Sequence, residues 1–196
     1  MITEEFKRIP EFIIYTGPMF GSKTTKLLAT VDRFRYQNRK VMAFKPRMDK
    51  RYSSEQICTH NGGALESHVV KSGSDIIRFV MSSEENVDVV AVDEAFMISD
   101  CARSLVELFK MGKTIVVSSL QLSATGNVFE EVRDMMPWAT RIDVCPAVCT
   151  VTGADAYYTH RKFDNMNEIT VGGSDLYEPR CWFYHPLMNK CEGIGG

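Results

Sequence analysis

The stretch Phe12-Ile13-Ile14-Tyr15-Thr16-Gly17-Pro18-Met19-Phe20-Gly21-Ser22-Lys23-Thr24 decides how the rest of the chain is read. Its first five residues form a short apolar run that stops at Gly-Pro, the shape of a buried strand ended by a turn. From Lys23 to about Asn38, Leu27, Leu28, Val31 and Phe34 recur at helical spacing, with no Gly or Pro between them. A strand, a glycine-bearing loop and a helix opening on Lys-Thr is the context in which backbone N–H groups and a helix N-terminus cradle phosphate. The pattern G-x-x-x-x-G-K-[ST] wants glycine directly before lysine, whereas here Ser22 stands there and the glycine has moved to Gly21. A Cβ at that position is expected to strain the loop. On this reading Gly17, Pro18, Met19, Phe20, Gly21, Ser22, Lys23 and Thr24 make a nucleotide cradle. Lys23 would reach the β- and γ-phosphates and the Thr24 hydroxyl would meet Mg²⁺. The plainer alternative is a strand-to-helix turn that happens to carry a lysine.

Outward from this loop, apolar runs alternate with helical patterns. Val41–Phe44, His68–Val70, Val87–Val92, Thr114–Ser118 and Arg141–Val144 read as strands, while Asp75–Met81, Asp100–Met111 and Phe129–Met136 read as helices. The segment from Arg47 to Gly63 has little periodicity and is expected to be a long loop. Strands alternating with helices predict an α/β fold, a P-loop (RecA-like) parallel sheet flanked by helices. After Cys145 the texture changes to short polar segments with Cys, Gly and aromatics. The expected division is therefore a nucleotide-binding domain over residues 1–145 and a small lobe over 146–196.

Composition narrows the function. The chain has 196 residues, 44% apolar and 24% charged, with 23 basic against 25 acidic side chains and a net charge of −2. That is globular composition without a positive field to hold a polyanion, so nucleic acid is not an expected partner. No apolar run approaches the roughly 20 residues that span a bilayer, and the acidic start Met1–Phe6 lacks a signal-peptide core. A cytoplasmic protein with no membrane partner is expected. Six scattered cysteines do not suggest a secreted disulfide scaffold.

Asp93-Glu94 follows Val89-Val90-Ala91-Val92, which places a carboxylate at the C-terminal end of a buried strand. There a P-loop protein keeps its Mg²⁺-binding acid, and a neighbouring carboxylate can serve as general base. Acidic residues that merely cap a strand are the alternative.

Gly17-Pro18-Met19-Phe20 ahead of Lys23, the block Asp49-Lys50-Arg51-Tyr52-Ser53-Ser54 with Thr59-His60, the pair Asp93-Glu94, and Val171-Gly172-Gly173-Ser174-Asp175-Leu176-Tyr177 together resemble the cellular and viral (type II) thymidine kinases. Order and spacing match from about Phe12 to His185. The resemblance implies transfer of the γ-phosphoryl group of ATP to the 5′-hydroxyl of thymidine, with deoxyuridine as a further acceptor, in nucleotide salvage for DNA synthesis. It implies that Lys23 contacts the phosphates, that Thr24, Asp49 and Asp93 lie near Mg²⁺, and that Glu94 deprotonates the acceptor hydroxyl. Arg51 would stabilise transition-state charge. Met19, Leu120, Phe129, Thr159 and Tyr177 would surround the base, and Val171, Gly172 and Gly173 would belong to a lasso whose backbone hydrogen-bonds it. Met19 and Leu120 fit core packing equally well. A homotetramer is also implied.

The chain departs from the family at several points. The glutamine usual two residues after the base is replaced by Phe96, and Gln121-Leu122-Ser123-Ala124 lacks the family's aromatic residue. The family's structural zinc has C-x-x-C in one arm and C-x-x-C or C-x-x-H in the other, whereas register here pairs Cys149 with Thr152 and Cys181 with Tyr184. A zinc-ribbon-like lobe would survive if Cys145, Cys149, Cys181 and His185 came together through one-residue slips. Otherwise Tyr157, Tyr158, Trp182 and Phe183 would hold the lobe by apolar packing. These departures leave open a catalytically degenerate relative that binds nucleotide or nucleoside in a regulatory role.

Overall fold

The computed structural model describes residues 9–48, 56–58, 63–163 and 172–189. Its centre is a six-stranded sheet of β1 (Phe12–Thr16), β2 (Val41–Pro46), β5 (His68–Val70), β6 (Val89–Val92), β7 (Thr114–Ser119) and β8 (Arg141–Val144), in the order β5-β2-β6-β7-β1-β8. All its pairings are parallel, as expected where helical crossovers cover both faces. Within the segment from Arg47 to Gly63 expected to be one long loop lies β3 (Gln56–Cys58), which pairs antiparallel with β4 (Ala64–Glu66) just after it. The buried Ile57 and Leu65 pack on the sheet, which two isolated apolar residues among polar ones did not signal.

Helix α1 (Lys23–Tyr36) lies on one face and α2 (Gly73–Met81), α3 (Cys101–Lys110) and α4 (Glu130–Met135) on the other. The period-two geometry of β1 explains the division. Phe12 and Ile14 point toward Ile76, Leu105, Leu108 and Met135, while Ile13 and Tyr15 point toward Leu27, Val31 and Phe34 of α1. Every residue of β1, β6 and β7 is buried, so each large aliphatic side chain there contributes about 1.5–3 kcal/mol by leaving water.

The path β1–α1–β2 crosses to one side of the sheet, and β7–α4–β8 crosses to the other. The crevice outside the carboxyl ends of β1 and β7 is therefore the topological switch point where α/β sheets bind ligands. After β8 come two antiparallel pairs, β9 (Ala147–Val148) with β10 (Asp155–Ala156) and β11 (Tyr158–Arg161) with β12 (Tyr177–Arg180), and Thr159 of β11 bonds Met19 in the loop after β1. Three of the four aromatics expected to hold the lobe do not, since Tyr157, Trp182 and Phe183 are exposed, whereas Tyr158 is half-buried with its ring 5.7 Å from that of His185. Small residues do, with Ala147, Cys149 and Ala156 packing against Phe20 and Cys181. No helix among the described residues is long and apolar enough to cross a membrane.

Candidate active site

The loop after β1 is moulded on one backbone carbonyl. Gly17 has φ 136°, and Cβ atoms built at Gly17 and Gly21 would lie 2.3 Å and 2.5 Å from the Cys145 carbonyl oxygen. Neither position accepts a side chain without moving the end of β8. Cys145, expected as a zinc ligand, is instead the floor of the loop, with its thiol buried and directed at the Asp143 carbonyl 3.6 Å away. Ser22 lies in the left-handed region at φ 55°, ψ 23°, as its position before the lysine predicts, and so does Phe20 at φ 65°.

Beyond Ser22 the helix starts without a side-chain cap and without an acidic residue in its first turn. The N-terminal N–H groups of α1, with Lys23 and Thr24, thus leave positive potential at the loop. The buried Lys23 ammonium donates to the Pro18 carbonyl at 2.5 Å, which holds it inside the loop's arc.

Asp93 at the end of β6 accepts a hydrogen bond from the Thr24 hydroxyl at 3.1 Å and another from the Ser118 hydroxyl. Thr24 and Asp93, far apart in sequence, therefore meet as adjacent hard oxygen donors beside the loop. Such a pair fits a divalent cation of the magnesium class. Ser118 escaped the sequence reading. Its only signal was a Ser-Ser pair ending an otherwise apolar strand. Ser119 does related work, as its hydroxyl accepts the Phe96 N–H at 3.1 Å and so anchors the turn that follows Glu94. Glu94 itself is half-buried and left-handed, at φ 50°, ψ 45°. A non-glycine residue there costs about 1–3 kcal/mol, so the surrounding turn holds the Glu94 backbone in a conformation that free chain avoids.

Beside the loop, Gly17, Pro18, Gln121, Ser123, Tyr158, Thr159, His185 and Met188 line a narrow crevice. Thr159 joins its two walls. Its hydroxyl accepts the Met19 N–H at 3.0 Å, and its carbonyl bonds His185 Nε2 at 3.1 Å. His185 is 1% exposed, and its Nδ1 accepts the Leu187 N–H at 3.3 Å. The ring is therefore neutral and protonated on Nε2. Burial lowers its pKa against a smaller opposing effect of the Thr159 carbonyl, and Arg180 lowers it further.

The glycine loop, the Thr24–Asp93 contact and the crevice beside Thr159 thus lie together at the carboxyl ends of the central strands. Residues 11–185 match the family model "Thymidine kinase". The chain belongs to the thymidine kinase family. It is 35% identical over 187 residues to a thymidine kinase of Thermococcus kodakarensis, covering 90% of this chain and 94% of that protein. It is 32% identical over 176 residues to a thymidine kinase of Pyrobaculum aerophilum, covering 86% and 95%. The resemblance read from the motifs is thereby established, and family membership makes the chain an ATP-dependent kinase.

The remaining expectations divide. Asp49, Arg51 and Val171 lie outside the described residues. Thr159 lines the crevice and Met19 is tied to it. Leu120 and Phe129 pack with Phe96 and Val132 in a separate apolar cluster, where the Phe96 and Phe129 ring centroids are 4.4 Å apart. Leu120 is partly buried against this cluster, and the ring that replaced the usual glutamine has an apolar neighbour. Gly172 and Gly173 precede β12, where Gly173 N–H bonds Asp175 and its carbonyl accepts the Tyr177 N–H at 3.0 Å. Tyr177 is buried. Gln121, Ser123, Tyr158 and Met188, also in the crevice, were not foreseen.

The zinc set is not assembled. Cys145 lies under the phosphate loop and His185 is engaged at both ring nitrogens. Among the described residues no group of three or more His, Cys, Asp or Glu could hold a metal ion.

Proposed function

We propose that the chain transfers the γ-phosphoryl group of ATP to the 5′-hydroxyl of thymidine, giving thymidine monophosphate, through the groups gathered at the ends of β1 and β6. The observation that carries this assignment of residues is the meeting of Thr24 with Asp93 at the mouth of an uncapped, lysine-bearing helix start. Phosphoryl transfer requires mainly positioning and charge neutralisation. The backbone N–H groups at the start of α1 and the Lys23 ammonium would hold the phosphates. Thr24 and Asp93 would hold Mg²⁺, which when bound neutralises charge on the phosphate oxygens. Ser118 fixes the Asp93 carboxylate so that its oxygens need not reorganise.

Glu94 would accept the proton of the attacking hydroxyl. The wall formed by Pro18, Tyr158 and Thr159 would lie against the nucleoside and help to exclude water, the competing acceptor. Deoxyuridine differs from thymidine only by a methyl group, a difference an apolar contact senses but does not strongly reject. Activity in cytoplasmic salvage as a homotetramer follows the family resemblance, and sedimentation velocity would test the assembly.

The decisive assay is thymidine monophosphate formation with ATP and Mg²⁺, with Glu94→Gln run in parallel. The wild type should turn over, and the variant should lose about 10²–10⁴-fold in kcat while ATP still raises its melting temperature. Turnover retained by Glu94→Gln would remove Glu94 as the base. Absence of product from a wild type stabilised by both ligands would overturn the activity.

A further inference from the structure

The lobe's knuckle keeps two of the four metal-ligand positions of its family, and the structure shows what those two cysteines now do. Cys149 follows β9 in a tight turn, with Cys149 N–H bonded to the Ala154 carbonyl at 2.8 Å and Gly153 N–H to the Cys149 carbonyl at 2.9 Å. The turn is tied to β12 by Thr150, whose N–H reaches the Pro179 carbonyl at 3.2 Å and whose hydroxyl reaches Glu178 at 3.1 Å. These bonds bring Cys181, which follows β12, onto the cluster formed by Ala147, Cys149 and Ala156. Thr152, standing where a third ligand would be, has its hydroxyl 3.8 Å from the Cys181 sulfur and also hydrogen-bonds the Cys149 sulfur. The Cys149 sulfur further accepts the backbone N–H of Cys181 itself. Both cysteines are free thiols.

We propose that Cys149 and Cys181 are a vicinal dithiol that closes to an intramolecular disulfide, a covalent modification site where a metal knuckle has been lost. The donors around Cys149 suit this chemistry. The Thr152 hydroxyl and the backbone N–H groups of Cys181, Val151 and Thr152 converge on its sulfur. A thiolate is the attacking species in exchange. Cys149 is 2% exposed whereas Cys181 is partly exposed, which sets the order of steps.

The oxidant is a small-molecule disulfide. Cys181 loses its proton to solvent and attacks one sulfur, breaking the S–S bond and expelling one thiolate. The Cys149 thiolate then attacks the Cys181 sulfur, forming the intramolecular bond and expelling the second thiolate. One disulfide is reduced to two thiols, which take up the two protons, and the protein dithiol is oxidised. The new bond closes the chain from 149 to 181 into a loop that contains β10, β11 and β12.

The test treats the reduced full-length chain with oxidised glutathione, alkylates the remaining thiols, and maps disulfides by mass spectrometry after non-reducing proteolysis. Metal content is measured on the same preparation before treatment. The expected result is a Cys149–Cys181 linked peptide two hydrogens lighter than the free pair and abolished by dithiothreitol, with no stoichiometric zinc. The melting temperature should rise by about 5–10 °C on oxidation, and Cys181→Ser should lose both the peptide and the rise. Should that variant fold poorly, the wild-type map and Cys181→Ala serve instead. Full alkylation of both cysteines after treatment, linkage to other cysteines, or one zinc per chain shielding both thiols would overturn the proposal.

Discussion

Two helices of this fold begin in opposite ways. At α2, Ser72 and Asp75 form a capping box, and the Asp75 carboxylate accepts the N–H of Lys71 at 3.0 Å and of Ser72 at 3.3 Å while pairing with Arg78. At α1, the residue in the capping position is left-handed, no side chain caps the helix, and the first turn carries Lys23 and Lys26 but no acid. Both helices face the same requirement, since the first N–H groups of any helix lack partners within it. The α2 terminus meets it internally and so gains stability. The α1 terminus leaves it to an anion, which makes it suited to bind phosphate and less stable on its own.

The largest effect expected from this contrast is on catalysis at α1. Lys23→Ala removes a fixed positive charge and should lower kcat/KM for ATP by about 10²–10³-fold, read by steady-state kinetics. Its melting temperature should move by no more than about 3 °C, the scale of one net hydrogen bond. A variant that loses activity and stability in parallel would show that Lys23 supports the loop rather than the phosphates, and the contrast would fail.

The α2 terminus should respond the other way. Asp75→Ala is expected to cost about 1 kcal/mol in urea unfolding with kcat unchanged. The Asp75 pKa is lowered chiefly by the Lys71 N–H, against an opposing effect of burial, with Ser72 and Arg78 adding to the lowering. A carboxylate whose folded pKa lies below its unfolded value of 3.8 stabilises the fold fully above that value. The contribution disappears as pH falls through the folded pKa. The gap in unfolding midpoint between wild type and Asp75→Ala should accordingly be constant at neutral pH and shrink below pH 3.8. A gap independent of pH would mean that Asp75 acts by packing and not as a charged acceptor.

The same contrast shows what the sequence made legible. The strands of the central sheet were readable because a buried parallel strand is a local apolar run, and Phe12–Thr16 or Val89–Val92 carries that information alone. The meeting of Thr24 with Asp93 was readable because one opens a helix and the other ends a strand of the same sheet. Ser118 and the Cys145 carbonyl were not, since a serine in a strand and a backbone oxygen acquire meaning only when β7 and β8 come beside β1. His185 was misassigned for a related reason. Its spacing from Cys181 suggests a ligand, but its ring is turned inward by the Thr159 carbonyl, a long-range contact that spacing does not encode.

The smallest effect concerns Ser22. The left-handed conformation at φ 55° costs a serine about 1–2 kcal/mol relative to its preferred regions. Glycine would relieve that strain, but it gives back about 0.5–1 kcal/mol through the greater freedom of the unfolded chain. Ser22→Gly should therefore raise the melting temperature by only about 1–4 °C. The backbone already adopts the conformation that glycine would take, so kcat/KM for ATP should change less than about threefold, under 1 kcal/mol. The companion exchange at Gly21 is not symmetrical, because a Cβ there would lie 2.5 Å from the Cys145 carbonyl. Gly21→Ser/Ser22→Gly should accordingly be less stable than Ser22→Gly alone. A tenfold gain in activity from Ser22→Gly would mean that the serine side chain itself obstructs the phosphates, and the cradle would then be impaired by occupancy and not merely strained.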